Sequence, residues 1–276
     1  MTEPPKTPAA PKPYFSDNAL EEMRREMERT AENYNYLLLA YSGHKFRSVR
    51  GKEFALQGYM RRIRTLRHGL ETLFGTLPPD FAGLPDEDRL NDAEIIVQSF
   101  VFNLFGCTDN LARIWVEETG LVRDDGTPLP RNWIGLGSKY TTVRASLAPR
   151  LQELLASRQE WFVHMETLRH ALAHRIPLYI PRFAVTPANQ DRYHALEAQI
   201  TEAVIRGRPR IEHRLRKEQQ GLMFFRPWVA HSFSEDTPLI VIHPQMIVDY
   251  KTICELGGAF LNALRGKGTA VEAGRP

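Results

Sequence analysis

The chain has 276 residues, of which 42% are hydrophobic and 25% charged, and a net charge of +3. This is the balance of a globular protein, long enough for one large domain or two small ones, and it excludes a chain that is disordered throughout. So small a net charge permits a nucleic-acid partner without arguing for one, because a local basic patch matters more than the total.

No run of 18 apolar residues occurs, so no membrane span is expected. The two cysteines, Cys107 and Cys254, sit far apart in apolar helical patterns. They read as buried free thiols rather than a disulfide framework or a zinc cluster, which fits a reducing cytoplasm.

Residues 1–15, rich in proline, threonine and lysine, read as a disordered lead with no signal-peptide core. Ser16-Asp17 can cap a first helix reaching about Phe46, and a second is predicted from about Glu53 to Phe74, stopped by Gly75 and Pro78-Pro79. A third runs from near Asp86 to just before Gly120. Its wide apolar face (Ile96, Phe100, Leu104, Leu111, Ile114, Trp115) places it centrally in a bundle. Asp109-Asn110 interrupts that face with polar groups. Arg123 to Pro128 is a loop by its turn chemistry, and Leu129 to Thr142 is irregular.

Helices are predicted from about Thr142 to Leu155 and from about Ser157 to Arg175, either separate or continuous, with Pro177 and Pro181 ending the segment. Another starts at Thr186-Pro187 and reaches about Arg206. A basic segment, Arg206 to Lys217, follows. Gly221–Phe233 and Pro238–Ile242 read as two short strands of a hairpin. Pro244–Leu264 forms the last helix, and the tail 266–276 should fray. The expected fold is mainly α, an antiparallel helical bundle (16–177) with a C-terminal helical extension (178–265) that carries the small β-hairpin.

The chemistry concentrates in Glu166-Thr-Leu-Arg169-His170-Ala-Leu-Ala-His174-Arg-Ile-Pro177. Arginine binds phosphate oxygens in a fork, and histidine moves protons near neutral pH. The Arg-x4-His spacing is weak by itself, since five of the nine histidines follow an arginine at comparable distance. Context separates Arg169: it alone is followed by a polar residue, a short apolar run and a histidine in the last helical turn. Glu166, His170 and His174 form one helical stripe, with Arg169 about 140° round from His174. The plain alternative is a helix end at which Arg169 pairs with Glu166 or Glu160.

Leu168-Arg169-His170-Ala-Leu-Ala-His174 resembles the signature of the HEPN superfamily of helical-bundle proteins, and the helix through Phe100, Asp109 and Asn110 resembles the central helix that precedes that signature. The resemblance covers roughly residues 86–177. It implies a metal-independent endoribonuclease of a toxin or defence system, working as a homodimer with RNA as substrate and an antitoxin or complex partner. Under it Arg169 holds the scissile phosphate, His174 transfers protons, His170 fills the polar position, and Asp109, with Asn110 and Glu166 in support, orients a histidine. Its alternative is a noncatalytic interaction or nucleotide-binding module, since many members have lost catalysis. His174 is followed by Arg175-Ile176, not by the x-Tyr of toxins regulated through that tyrosine.

Three other patterns compete. Glu166, His170 and His174 could ligate a metal with Asp109 or His68, but paired Glu-x-x-His motifs are absent, and no metal or cofactor is expected. Arg206, Arg208, Arg210, Arg214, Arg216 and Lys217 form the densest basic run, either a solvated face or a track that steers RNA. Phe224, Phe225 and Trp228 follow as base-stacking candidates, with core packing the simpler reading. Gly135-Leu-Gly137-Ser-Lys139 lacks Walker spacing and reads as a turn.

Overall fold

A computed structural model describes residues 13–232 and 239–272, with side chains through 266. The protein is a mainly α-helical bundle with two small antiparallel strand pairs. Ser16 accepts from the Ala19 amide and opens α1 (Asp17–Ser42). The next helix starts earlier than periodicity predicts, because Ser48 Oγ accepts from the Arg50 and Gly51 amides and nucleates α2 (Val49–Glu53). A π-helical segment (Phe54–Tyr59) then leads without a break into α3 (Met60–Thr76).

The central helix is α4 (Glu87–Thr119). Asp86 Oδ1 accepts from the Arg89 amide at 2.8 Å, and Gly120 ends the helix at φ +65°, a backbone angle glycine adopts without strain. Leu104, Cys107, Leu111, Ile114 and Trp115 are fully buried. Among the described residues α4 alone is long and apolar enough to cross a membrane; many of its apolar side chains pack inside the bundle, while Ile95 and Phe102 are exposed.

After α4 come α5 (Thr141–Ser146), α6 (Pro149–Ser157) and α7 (Gln159–His174). The single helix predicted over 142–155 is two. Pro149 drives Ala148 to extended angles (ψ 146°) and starts a new helix from its own first position. The last helix, α10 (Ile242–Glu272), starts and ends beyond its predicted limits.

The expected division near residue 178 does not follow the packing. Tyr250, Ile253 and Phe260 of α10 belong to the same core as Leu37, Leu66, Leu104 and Trp115. Tyr41 and Tyr59 donate their hydroxyls to the α10 carbonyls of Gly257 and Ile253, each at 2.9 Å. What stands apart is a helical hairpin of α8 (Gln190–Ile205) and α9 (Pro209–Gln220), with its own small core of Leu196, Ile200, Ala203 and Leu215. Much of the basic segment is therefore helical, with Pro209 at the first turn of α9.

Strands β1 (Ala184–Val185) and β2 (Met223–Phe224) pair at the foot of this hairpin, a contact the sequence does not announce. The expected hairpin exists as β3 (Trp228–Val229) on β4 (Ile240–Val241), with Trp228 opposite Val241. The predicted strand ends at 233 and 238, and the turn between them, lie outside the described residues, as do 1–12 of the lead and 273–276 of the tail. Residues 14 and 15, assigned to a disordered lead, are packed: the Phe15 ring meets His243 at 5.9 Å, and Arg226 lies over Tyr14 at 4.7 Å. The helix also continues past 265 to Glu272.

Candidate functional site

The polar break in α4 has a structural cause. Asn103, Gly106, Asp109, Asn110 and Arg113 recur at three- and four-residue steps on one side of α4, where α3 approaches from one flank and α7 from the other. From α3, Arg62 donates its Nε to Asn110 Oδ1 at 3.2 Å and its Nη1 to Asn103 Oδ1 at 3.0 Å. From α7, the Arg169 guanidinium lies over the Phe105 ring, 4.9 Å from its centroid. Arg113 reaches toward Phe54 of the π segment, 5.5 Å from that ring's centre.

These three arginines share one property: among the described residues none has a carboxylate within 4 Å. The expected alternative, Arg169 paired with Glu166 or Glu160, is not formed. Glu166 instead binds Lys139 at 2.6 Å and lies 3.7 Å from His170 Nε2. Lys139 holds the Glu166 carboxyl below its ordinary range by hydrogen bond and charge, against a smaller opposing effect of burial.

Asp109 sits amid these cations. Burial raises its carboxyl above the usual range, and the charges of Arg113, Arg169, Arg62 and Lys139 oppose that rise. Asp109 makes no hydrogen bond or close ion pair with any described residue. It does not orient a histidine of the stripe; the carboxylate beside His170 is that of Glu166. Asn110 anchors Arg62.

His170 and His174 occupy the outer face of α7, with ring centroids 6.0 Å apart. His174 is exposed in the last helical turn. Arg169 turns instead toward α4, and no hydrogen bond joins it to either histidine within the chain. The sequence-predicted residues therefore fall into two groups: Arg169 of α7 turned toward Asp109 and Asn110 of α4, and Glu166, His170 and His174 in a stripe on α7. Among the described residues, no three His, Cys, Asp or Glu side chains converge to hold a metal ion.

The basic run lies on the α8–α9 hairpin. Arg206 pairs with Glu202 at 2.6 Å and Arg216 with Glu212 at 2.8 Å. Arg208, Arg210, Arg214 and Lys217 have no such partner among the described residues. Arg210, Arg214 and Lys217 follow i, i+4, i+7 spacing, so they share one stripe opposite buried Leu215 and Gln219. Phe224 and Trp228 are already engaged, with Tyr14, around the Arg226 guanidinium, and Phe225 packs on Phe81. Gly135 lies against the Tyr140 ring in a turn, where a side chain would collide with it.

Sequence reasoning missed Arg62, Arg113, Asn103 and Lys139. The available signal was glycine: Gly58 and Gly106 lie within helical segments at a helix-propensity cost of about 1 kcal/mol each, which marks close approach.

Comparison with protein-family models, curated proteins and solved structures finds no match.

Proposed function

We propose that this protein is a metal-independent, HEPN-like endoribonuclease of the cytoplasm that acts as a homodimer, in a toxin or defence setting. The observation that carries the reading is the cluster of three guanidiniums without carboxylate partners, next to a two-histidine stripe. Such charges attract phosphate, and arginine offers it paired donors. In this scheme Arg169 binds the non-bridging oxygens of a phosphodiester. A histidine of the α7 stripe takes the proton of the ribose 2′-hydroxyl. The freed oxygen attacks phosphorus, a 2′,3′-cyclic phosphate forms, and the 5′-oxygen leaves with a proton from a second histidine.

Arg169 and His174 face different sides of α7, so a second copy would complete the constellation. Exposed Ile95 and Phe102 on α4 and Val163 on α7 give that copy an apolar surface beside the site. The α9 stripe would steer the RNA by phosphate attraction.

The test is RNA cleavage in EDTA by wild-type protein, Arg169→Ala and His174→Ala, with folding and dimerisation checked in each. Cleavage confined to wild type is expected, with losses of about 100-fold or more. Loss of wild-type cleavage in EDTA would refute the metal-free mechanism.

One observation favours a second reading, a noncatalytic phosphate- or nucleotide-binding module. Within one chain no hydrogen bond joins the histidines to the Arg169 guanidinium, while the guanidinium cluster is complete without them. That module would bind RNA in a salt-dependent way, without turnover, and independently of His174.

A further inference from the structure

The seat of Arg62 is built with more care than a tie between two helices requires. Its Nε and Nη1 donate to two neutral amide oxygens, those of Asn110 and Asn103. Asn103 is itself oriented, because its Nδ2 donates to the Ser99 carbonyl at 2.9 Å. Gly106 opens the floor: a Cβ there would lie 2.5 Å from Arg62 Cζ and 2.7 Å from Nε and Nη1. Gly58 makes room for Asn110 in the same way, since its Cβ would lie 2.7 Å from Asn110 Nδ2. Gly58 lies in the π segment, a helix irregularity that is frequent at functional sites.

A structural tie is better served by a carboxylate, which would cancel the charge it binds. Here two amides fix the guanidinium plane and leave its charge intact. Among the described residues Arg62 Nη2 makes no hydrogen bond. The position also matters: Arg62 lies against Gly106 and Arg169 over Phe105, both against the same stretch of α4 that carries Asp109. Both act on the same carboxylate, Asp109.

We infer that Arg62, held by Asn103, Asn110 and Gly106, is a second phosphate-binding residue, and that the site takes a ligand with two neighbouring phosphates. This rests on the reading of Arg169 as phosphate-binding. Two linked phosphates occur in an RNA backbone and in a nucleoside polyphosphate, and competition between them identifies the source.

The test is calorimetric titration at low salt, in EDTA, with inorganic phosphate, pyrophosphate, ADP and an eight-residue oligouridylate. The proteins are wild type, Arg62→Gln, Arg169→Gln and Gly106→Ala. The glycine variant is the decisive one, since it changes no charge, favours helix and displaces the Arg62 guanidinium. Wild type is expected to bind pyrophosphate about tenfold or more above phosphate, and both glutamine variants to lose that preference. Gly106→Ala should weaken pyrophosphate severalfold with its thermal unfolding midpoint preserved. Arg62→Gln should also lower the salt slope of oligouridylate binding by about 0.7, which a purely structural role would not do.

If Arg169→Gln loses pyrophosphate while Arg62→Gln and Gly106→Ala bind as wild type, this inference fails and the reading of Arg169 stands. If wild type binds none of the four probes, both fail. Oligouridylate displacing pyrophosphate when ADP does not supports the two-phosphate site and assigns it to RNA; the reverse supports it and assigns a nucleotide.

Discussion

The Arg169 guanidinium rests over the Phe105 ring at 4.9 Å. An aromatic face positions a cation without neutralising it, so the arginine is held and still free to bind an anion. Phe105→Leu keeps apolar bulk and removes the ring's attraction. RNA affinity should fall about two- to fivefold, corresponding to roughly 0.5–1 kcal/mol. Fluorescence anisotropy checks this, and unchanged affinity would show that the stacking does not position Arg169.

The stripe of Arg210, Arg214 and Lys217 makes a separate electrostatic prediction. Replacing all three by glutamine should lower the salt slope of single-stranded RNA binding by about 2 units, since each phosphate contact contributes about 0.7. Their solvent-facing position, opposite Leu215, predicts little change in stability. A salt series of binding isotherms decides it; an unaltered slope would return the stripe to an ordinary solvated face.

Gly257 is a packing constraint. A Cβ there would overlap the Tyr59 hydroxyl, which donates to the Ile253 carbonyl. Gly257→Ala should destabilise the fold by about 1–3 kcal/mol. Tyr59→Phe should cost about 1 kcal/mol alone but relieve part of the alanine's penalty in the double variant. Urea denaturation of the four proteins measures that coupling, and simple additivity would contradict the overlap.

Asp249 gives a pH test. It is buried, and burial raises its carboxyl to about 6, although Trp161 Nε1 and Gln245 Nε2 each donate to its Oδ1 at 2.8 Å. The folded protein therefore holds a proton that the unfolded chain has released between roughly pH 4 and 6. Stability from this group is present in acid and lost as pH rises through that window, by roughly 3 kcal/mol. Buried His243 acts oppositely: burial lowers it to about 4, so its contribution is lost as pH falls from about 6.5 toward 4. Asp249→Asn should thus stabilise the protein at pH 7.5, and the advantage should vanish near pH 4. Urea midpoints at both values check the sign; a constant difference would rule out the linkage.

Local chemistry made much of the fold readable. Asp86 and Gly120 bound α4 because a cap and a left-handed stop are local signals. The break before Pro149 was equally local and was overlooked because the apolar period continues across it. Arg169, His170 and His174 were visible from spacing, but their division between two surfaces was not, since it depends on Phe105, more than 60 positions earlier. Arg62 was hidden for the same reason. Its role comes from Asn103, Gly106 and Asn110 on another helix, and one arginine in a charged helix carries no local mark.

The most direct measurement is end-group analysis of an oligoribonucleotide incubated in EDTA with wild type, Arg169→Ala and His174→Ala, beside the same oligomer with 2′-deoxy sugars. The account predicts that wild type alone cuts, that only the ribo-oligomer is cut, and that the products carry 2′,3′-cyclic phosphate and 5′-hydroxyl ends. An intact ribo-oligomer, cleavage of the deoxy-oligomer, or equal cutting by all three proteins would contradict it.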